Sequence, residues 1–174
     1  MILTGKKSIL FPITRKDYGY LEKLIQTIKD ETKPSWLVGN PPPLVKEQSE
    51  GWLARTKEGK ASRNIGMILF TPLTVFSATM QYLIDNIFYN GIDKELKNDR
   101  YTYAEDVIRI ALDKVFENGI AKVEVPVMSD NKLTLAFLKR VGFRLEGHFK
   151  KDEDNYFLLT IWKEEKKNGI GKKT

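Results

Sequence analysis

The 174-residue chain has no cysteine and a single histidine, His148. Without cysteine there can be no disulfide, no thiol nucleophile and no thiolate metal site, and the chain suits a reducing compartment. One histidine is too few for a His-based metal centre or a Ser-His triad, so no metal is expected. No apolar run approaches the roughly 18 residues of a membrane-spanning helix. The opening MILTGKKSILF also lacks the apolar core and small residues of a secretion signal. These absences point to a soluble, cytoplasmic protein with no membrane partner. Walker loops, Rossmann glycine fingerprints and RNA-binding aromatic signatures are missing too.

What is present suits one globular domain. Hydrophobic residues make up 41% of the chain, enough for a core at this length. We place the domain at residues 1–163 and a polar basic tail at 164–174, with Lys166, Lys167, Lys172 and Lys173. Twenty-nine basic against 23 acidic residues leave a net charge of +6. That balance suits an anionic partner, a nucleotide cofactor before nucleic acid, although a lysine tail is usually just solvated.

Along the chain, Ser8 to Ile13 reads as a strand. A helix capped near Thr14 follows, with Tyr18, Leu21, Leu24, Ile25 and Ile28 as its apolar stripe. Pro34 ends it, and the stiff stretch Lys33 to Val45 holds Trp36 and three consecutive prolines, either walling a pocket or packing Trp36 onto the core. Glu47 to Thr56, with Trp52 and Leu53, reads as a shorter second helix. Strands are expected at Ile65 to Thr71, Val75 to Ile84 and Asn155 to Trp162.

The stretch Arg100 to Gly147 is the most patterned. Val107, Ile108, Ala111, Leu112, Val115 and Phe116 form one helix face that Asn118-Gly119 closes. Ala121 to Val127 alternates as a strand, with Pro126 interrupting its ladder. After Ser129-Asp130-Asn131 comes a short helix ended by Gly142, then the strand start Phe143-Arg144-Leu145-Glu146-Gly147. The whole is an α/β (α+β) arrangement, a mixed sheet with helices on its faces.

This order, with its Asp-Asn before the short helix and Val-Gly-Phe-Arg-Leu-Glu-Gly after it, resembles the C-terminal half of the GCN5-related N-acetyltransferases. The likeness is greatest to their ribosomal-protein-acetylating branch. It implies a mostly antiparallel sheet of about six to seven strands flanked by about four helices. It further implies that the family's fourth and fifth strands splay to admit the pantetheine arm of acetyl-CoA.

The resemblance carries site residues with it. The family's phosphate loop, Gln/Arg-x-x-Gly-x-Gly/Ala, falls on Asp99-Arg100-Tyr101-Thr102-Tyr103-Ala104, where only Ala104 matches and Thr102 replaces the central glycine. A rival placement uses Phe88 to Ile92. Val125 and Val127 on the presumed fifth strand, Asn131 and Phe137 complete the implied cofactor site. Asn131 equally suits a helix N-cap, and Phe137 equally suits the core. Where the family often has a catalytic glutamate, SATMQY places Thr79, whose hydroxyl cannot act as that base. Asp85 could act through water instead. The position of the usual leaving-group tyrosine holds Leu138. His148 reads as a surface residue.

Two functions remain open at this point. One is transfer of an acetyl group from acetyl-CoA to a primary amine, on a protein N-terminus, a lysine or a small molecule. The other is a non-catalytic protein of the same fold that binds a protein or nucleic-acid partner. Either form is expected as a monomer or a homodimer.

Overall fold

A computed structural model describes residues 1–17, 19, 20, 23, 50–57, 62–84 and 102–164. These form one eight-stranded sheet. The strands are β1 Leu3–Thr4, β2 Ser8–Pro12, β3 Glu50–Thr56, β4 Asn64–Pro72, β5 Ser77–Ile84, β6 Lys122–Met128, β7 Arg144–Lys151 and β8 Asp154–Trp162. Their spatial order is β1-β2-β3-β4-β5-β6-β8-β7. All neighbours pair antiparallel except β5 with β6, which run parallel.

Two α-helices are complete among the described residues, α1 Tyr103–Glu117 and α2 Lys132–Val141. Arg15–Asp17 forms a 3₁₀ turn after Thr14, and the Asp17 carboxylate accepts from both the Thr14 N–H and its hydroxyl. Residues 19, 20 and 23 are helical, as the apolar stripe there leads one to expect. The rest of that helix and the proline-rich stretch lie outside the described residues.

Helix α1 forms because its 3.6-residue apolar face coincides with a good start. Thr102 Oγ1 accepts from the Glu105 N–H at 3.2 Å while Glu105 Oε2 accepts from the Thr102 N–H at 2.9 Å, a reciprocal cap. Val107, Ile108, Ala111 and Leu112 are fully buried against the sheet. Truncating a side chain such as Leu112 would cost about 2–5 kcal/mol. A second anchor joins α1 to the start of the chain. The buried Asp106 carboxylate accepts from the N–H groups of Lys6, Lys7 and Ser8 at 3.1, 2.9 and 2.9 Å, and from the Ser8 hydroxyl at 2.5 Å.

Helix α2 ends on Gly142, whose φ of 121° belongs to the left-handed region, with the Phe143 N–H reaching back to the Leu138 carbonyl. Both helices lie on one face of the sheet, sharing a core with Trp52, Ile68, Met80, Val123, Val125 and Ile161.

The expectation of a helix over Glu47 to Thr56 is overturned: Glu50–Thr56 is a strand. Trp52 and Leu53 are adjacent and both buried. A strand between two others, here β2 and β4, buries successive side chains on opposite faces, and that pattern does not alternate in polarity. This strand and the two-residue β1 bring the count to eight rather than six to seven. Strand β5 begins at Ser77, two residues later than expected, because Leu73, Val75 and Phe76 form an exposed connection to β4.

Candidate functional site: a fork between two parallel strands

Strands β5 and β6 pair over only three positions, Ser77 with Lys122, Ala78 with Val123 and Thr79 with Glu124. Among the described residues, β5 continues beyond Thr79 to Ile84 bound to β4 alone, and β6 continues beyond Glu124 to Met128 bound to β8 alone. The sheet forks there. Thr79 Oγ1 donates to the Glu124 carbonyl at 3.4 Å, marking the vertex.

Main-chain groups alternate sides along a strand, so the direction of each β6 residue can be read. The Ala121 carbonyl accepts from the Lys163 N–H, and the Ser129 N–H donates to the Asn155 carbonyl, both toward the β8 side. In step with them Val125 and Val127 turn their main chain to β8, and their side chains are buried on the helix face. On the unpaired edge the residues whose main chain faces the fork are Pro126 and, at the strand's end, Met128. Having no N–H, Pro126 itself presents only a carbonyl on that edge.

Asn131 stands at the far end of the same strand. Its Oδ1 accepts from the Thr134 N–H at 3.1 Å as the N-cap of α2. The residue is only 4% exposed, and among the described residues its Nδ2 has no hydrogen-bond partner. A buried amide donor without an acceptor costs about 1–3 kcal/mol, which a ligand carbonyl would recover. Phe137, one turn into α2, lies 6.3 Å from the Tyr82 ring of β5, so β5 and α2 meet on the helix side of the fork.

The first turn of α1 is the other expected part. Thr102 is the N-cap and Tyr103 the first helical residue, with its ring 5.7 Å from Lys7 Nζ. Ala104 is fully buried in the core. Glu105, not singled out by sequence, is also buried, and its Oε1 accepts from Arg140 Nε at 2.6 Å. Arg100, Tyr101 and Asp85 lie outside the described residues. So does the rival loop at Phe88 to Ile92.

The sheet face opposite the helices carries a charged cluster beside the vertex. Lys122 Nζ lies 2.9 Å from Glu124 Oε1, 2.8 Å from Glu146 Oε1 and 5.4 Å from the centre of the Trp162 ring. Burial pulls the Lys122 ammonium down, but the hydrogen bonds and charges of Glu146 and Glu124 outweigh it and set its pKa above the usual lysine value. The Lys122 hydrogen bond, with a second from Thr160, holds Glu146 below the usual carboxylate range against the effect of burial.

Two hollows lie against α1. One, of about 470 Å³, separates residues 2–6 from the outer side of α1, and one of about 130 Å³ lies between Phe70, Ala78 and Val115. Among the described residues no group of three His, Asp or Glu side chains could hold a metal, and no helix is long and apolar enough to cross a membrane.

Solved structures share this architecture over nearly the whole chain. Mycobacterium smegmatis RimJ in complex with CoA-disulfide matches with a TM-score of 0.69 at 16% identity, over 95% of this chain and 88% of its own. RimL, a ribosomal L7/L12 α-N-protein acetyltransferase in complex with coenzyme A, matches with a TM-score of 0.69 at 15% identity, over 93% and 98%. A GNAT-family acetyltransferase from Bacillus anthracis matches with a TM-score of 0.66 at 13% identity, over 94% and 99%. The chain has the fold of the GCN5-related N-acetyltransferases. No protein-family model matches the sequence, and neither does any curated protein.

Within that fold Thr79 stands at the vertex on the face away from the helices, Phe137 packs on the helix side of the fork and Asn131 caps α2 at the far end of β6, so the three are not in mutual contact. Thr102, Tyr103 and Ala104 stand at the α1 start. Val125 and Val127 join the site through their strand rather than through main-chain groups turned to the fork. Sequence reasoning missed Glu105, although a Thr three residues before a Glu at a helix start signals the reciprocal cap. It also missed Glu124, which looked like any outward polar residue of an alternating strand.

Proposed function

We propose that this protein is an acyl-CoA-dependent N-acyltransferase that moves an acetyl group from acetyl-CoA to a primary amine. The observation that carries this reading is the fork itself, where two parallel strands part after three paired positions. Such an edge offers main-chain groups to an extended amide arm, as a strand would. Asn131 Nδ2, buried and without an acceptor among the described residues, would donate to a carbonyl of that arm. Acetyl-CoA would supply the activated thioester, and the protein would supply position, a dry channel and proton transfer. The amine is a protein N-terminus, a lysine or a small molecule. Proteins of similar fold include both kinds, a spermidine/spermine N-acetyltransferase from Vibrio cholerae and a ribosomal-protein-S5-alanine acetyltransferase from Vibrio fischeri. We assign the protein to the cytoplasm, as a monomer or homodimer.

One observation favours a second reading. The N–H groups of Thr102 and Glu105 are spent on their own reciprocal cap, and a buried carboxylate stands in the first turn of α1. A diphosphate brought to that helix start would meet like charge. The second reading is a non-catalytic protein of this fold that binds a protein or nucleic acid.

Melting with and without excess acetyl-CoA separates the two. A ligand at about 100 times its Kd stabilises by about 2.7 kcal/mol. For a domain of this size the melting temperature should then rise about 5–10 °C. No rise with acetyl-CoA, longer acyl-CoAs or CoA selects the binding protein, and binding that weakens steeply with salt would then identify a nucleic acid.

A further inference from the structure

Thr79 and Glu124 are direct register partners at the vertex of the fork. Side chains of paired residues on neighbouring strands project to the same face about one strand spacing apart, roughly 5 Å. That face is the one opposite α1 and α2. Both helices and their core close the other side, so among the described residues the approach to the vertex left to an acceptor amine is the face that carries Thr79 and Glu124.

Among the described residues the charged groups near Glu124 on that face are few. On its own strand Lys122 binds it at 2.9 Å. From β7 come Glu146, which shares Lys122, and Arg144, which pairs in register with Thr160 beside Glu124. On β5 the neighbours Ser77, Thr79 and Gln81 are uncharged. The Glu124 side chain remains 20% exposed, so a substrate or water can reach it.

We propose that Glu124 is the general base of acetyl transfer, serving from β6 the role that Thr79 cannot serve from β5. The inference rests on the acetyltransferase reading. Glu124 takes a proton from the acceptor ammonium, directly or through one water. The free amine attacks the thioester carbonyl, the new C–N bond forms, and the C–S bond breaks. The thiolate leaves with the electron pair and takes up the second nitrogen proton, giving amide and free thiol. Glu124 returns its proton to solvent. Lys122 positions the carboxylate by binding one of its oxygens.

The test compares wild type, Glu124→Gln and Glu124→Asp for acetyl-CoA thermal shift and for thiol release from acetyl-CoA across pH, with spermidine and an unblocked peptide as amines. Glu124→Gln should keep the thermal shift, lose about 10²- to 10³-fold in kcat at pH 7, and lose the acid limb of the kcat profile. Glu124→Asp should retain that limb with partial activity. Should Glu124→Gln fold poorly, the Glu124→Asp profile decides alone. Wild-type rate and an unchanged pH profile in Glu124→Gln overturn the assignment while leaving the acetyltransferase reading intact. A wild type that neither binds acetyl-CoA nor releases thiol overturns that reading, and the assignment with it.

Discussion

Arg140 Nε donates to Glu105 Oε1 at 2.6 Å, tying the last turn of α2 to the first turn of α1. The carboxylate is 3% exposed and the arginine side chain 53%. Replacing Arg140 by Met strands a buried acceptor, but solvent at the exposed side partly takes its place. We expect a loss of about 1–2 kcal/mol rather than the 3–5 of a fully buried pair, measured by urea unfolding. Arg140→Lys should recover only part of it, since a single ammonium does not reproduce the guanidinium geometry.

Gly66 has a φ of 155°, and a Cβ there would overlap the Leu83 carbonyl of the paired strand β5. Gly66→Ala must therefore shift β4 from β5 or bend one of them. The expected loss is about 2–4 kcal/mol, at the high end for a single methyl group, and a thermal melt within 2 °C of wild type would refute it.

Asn131 combines two tasks that one substitution can separate. Asn131→Ser keeps a side-chain oxygen for the Thr134 N–H and removes the unpartnered Nδ2. The free protein should be as stable as wild type or up to about 1–3 kcal/mol more so, because serine caps helices about as well as asparagine and the buried donor without an acceptor is gone. Its acetyl-CoA affinity, read by titration calorimetry, should fall about 5- to 20-fold. Equal affinity would mean that Nδ2 meets no ligand.

The Lys122 and Glu146 pair sets a pH window. Glu146 is depressed in the folded state, so its contribution is present above its unfolded pKa and is lost as pH falls through the folded one. Lys122 is raised, so its contribution is complete below its unfolded pKa and is lost as pH rises through the folded one. Both are present together from about pH 5 to about pH 10. Because the Glu146 side chain is 41% exposed, the plateau gains about 1 kcal/mol or less. Lys122→Met should flatten both shoulders in chemical unfolding followed against pH.

The helices were legible because helical order is local. The apolar face Val107 to Phe116 and the brackets Asn131 and Gly142 all act within a few residues of one another, and α1 and α2 fall where those residues place them. Strand β3 was not, since Trp52 and Leu53 side by side fit a helix as well as a strand buried on both faces. The fork was implied by the family resemblance, and among the residues themselves it was legible only through Pro126, which also suits any strand edge. Where β5 leaves β6 depends on pairing between segments more than 40 residues apart, which neither segment encodes alone. Glu124 was hidden for the same reason. Its meaning comes from standing opposite Thr79, a neighbour that no spacing along the chain reveals.

The Asp106 carboxylate gathers the main chain of residues 6–8 across 98 to 100 positions of sequence. During synthesis those three residues therefore leave the ribosome long before their acceptor. At about 5–20 residues per second the wait is on the order of 5–20 s. Through that interval the first strands have neither the carboxylate nor the helix face they will lie against, so the beginning of the chain is among the last parts to be fastened.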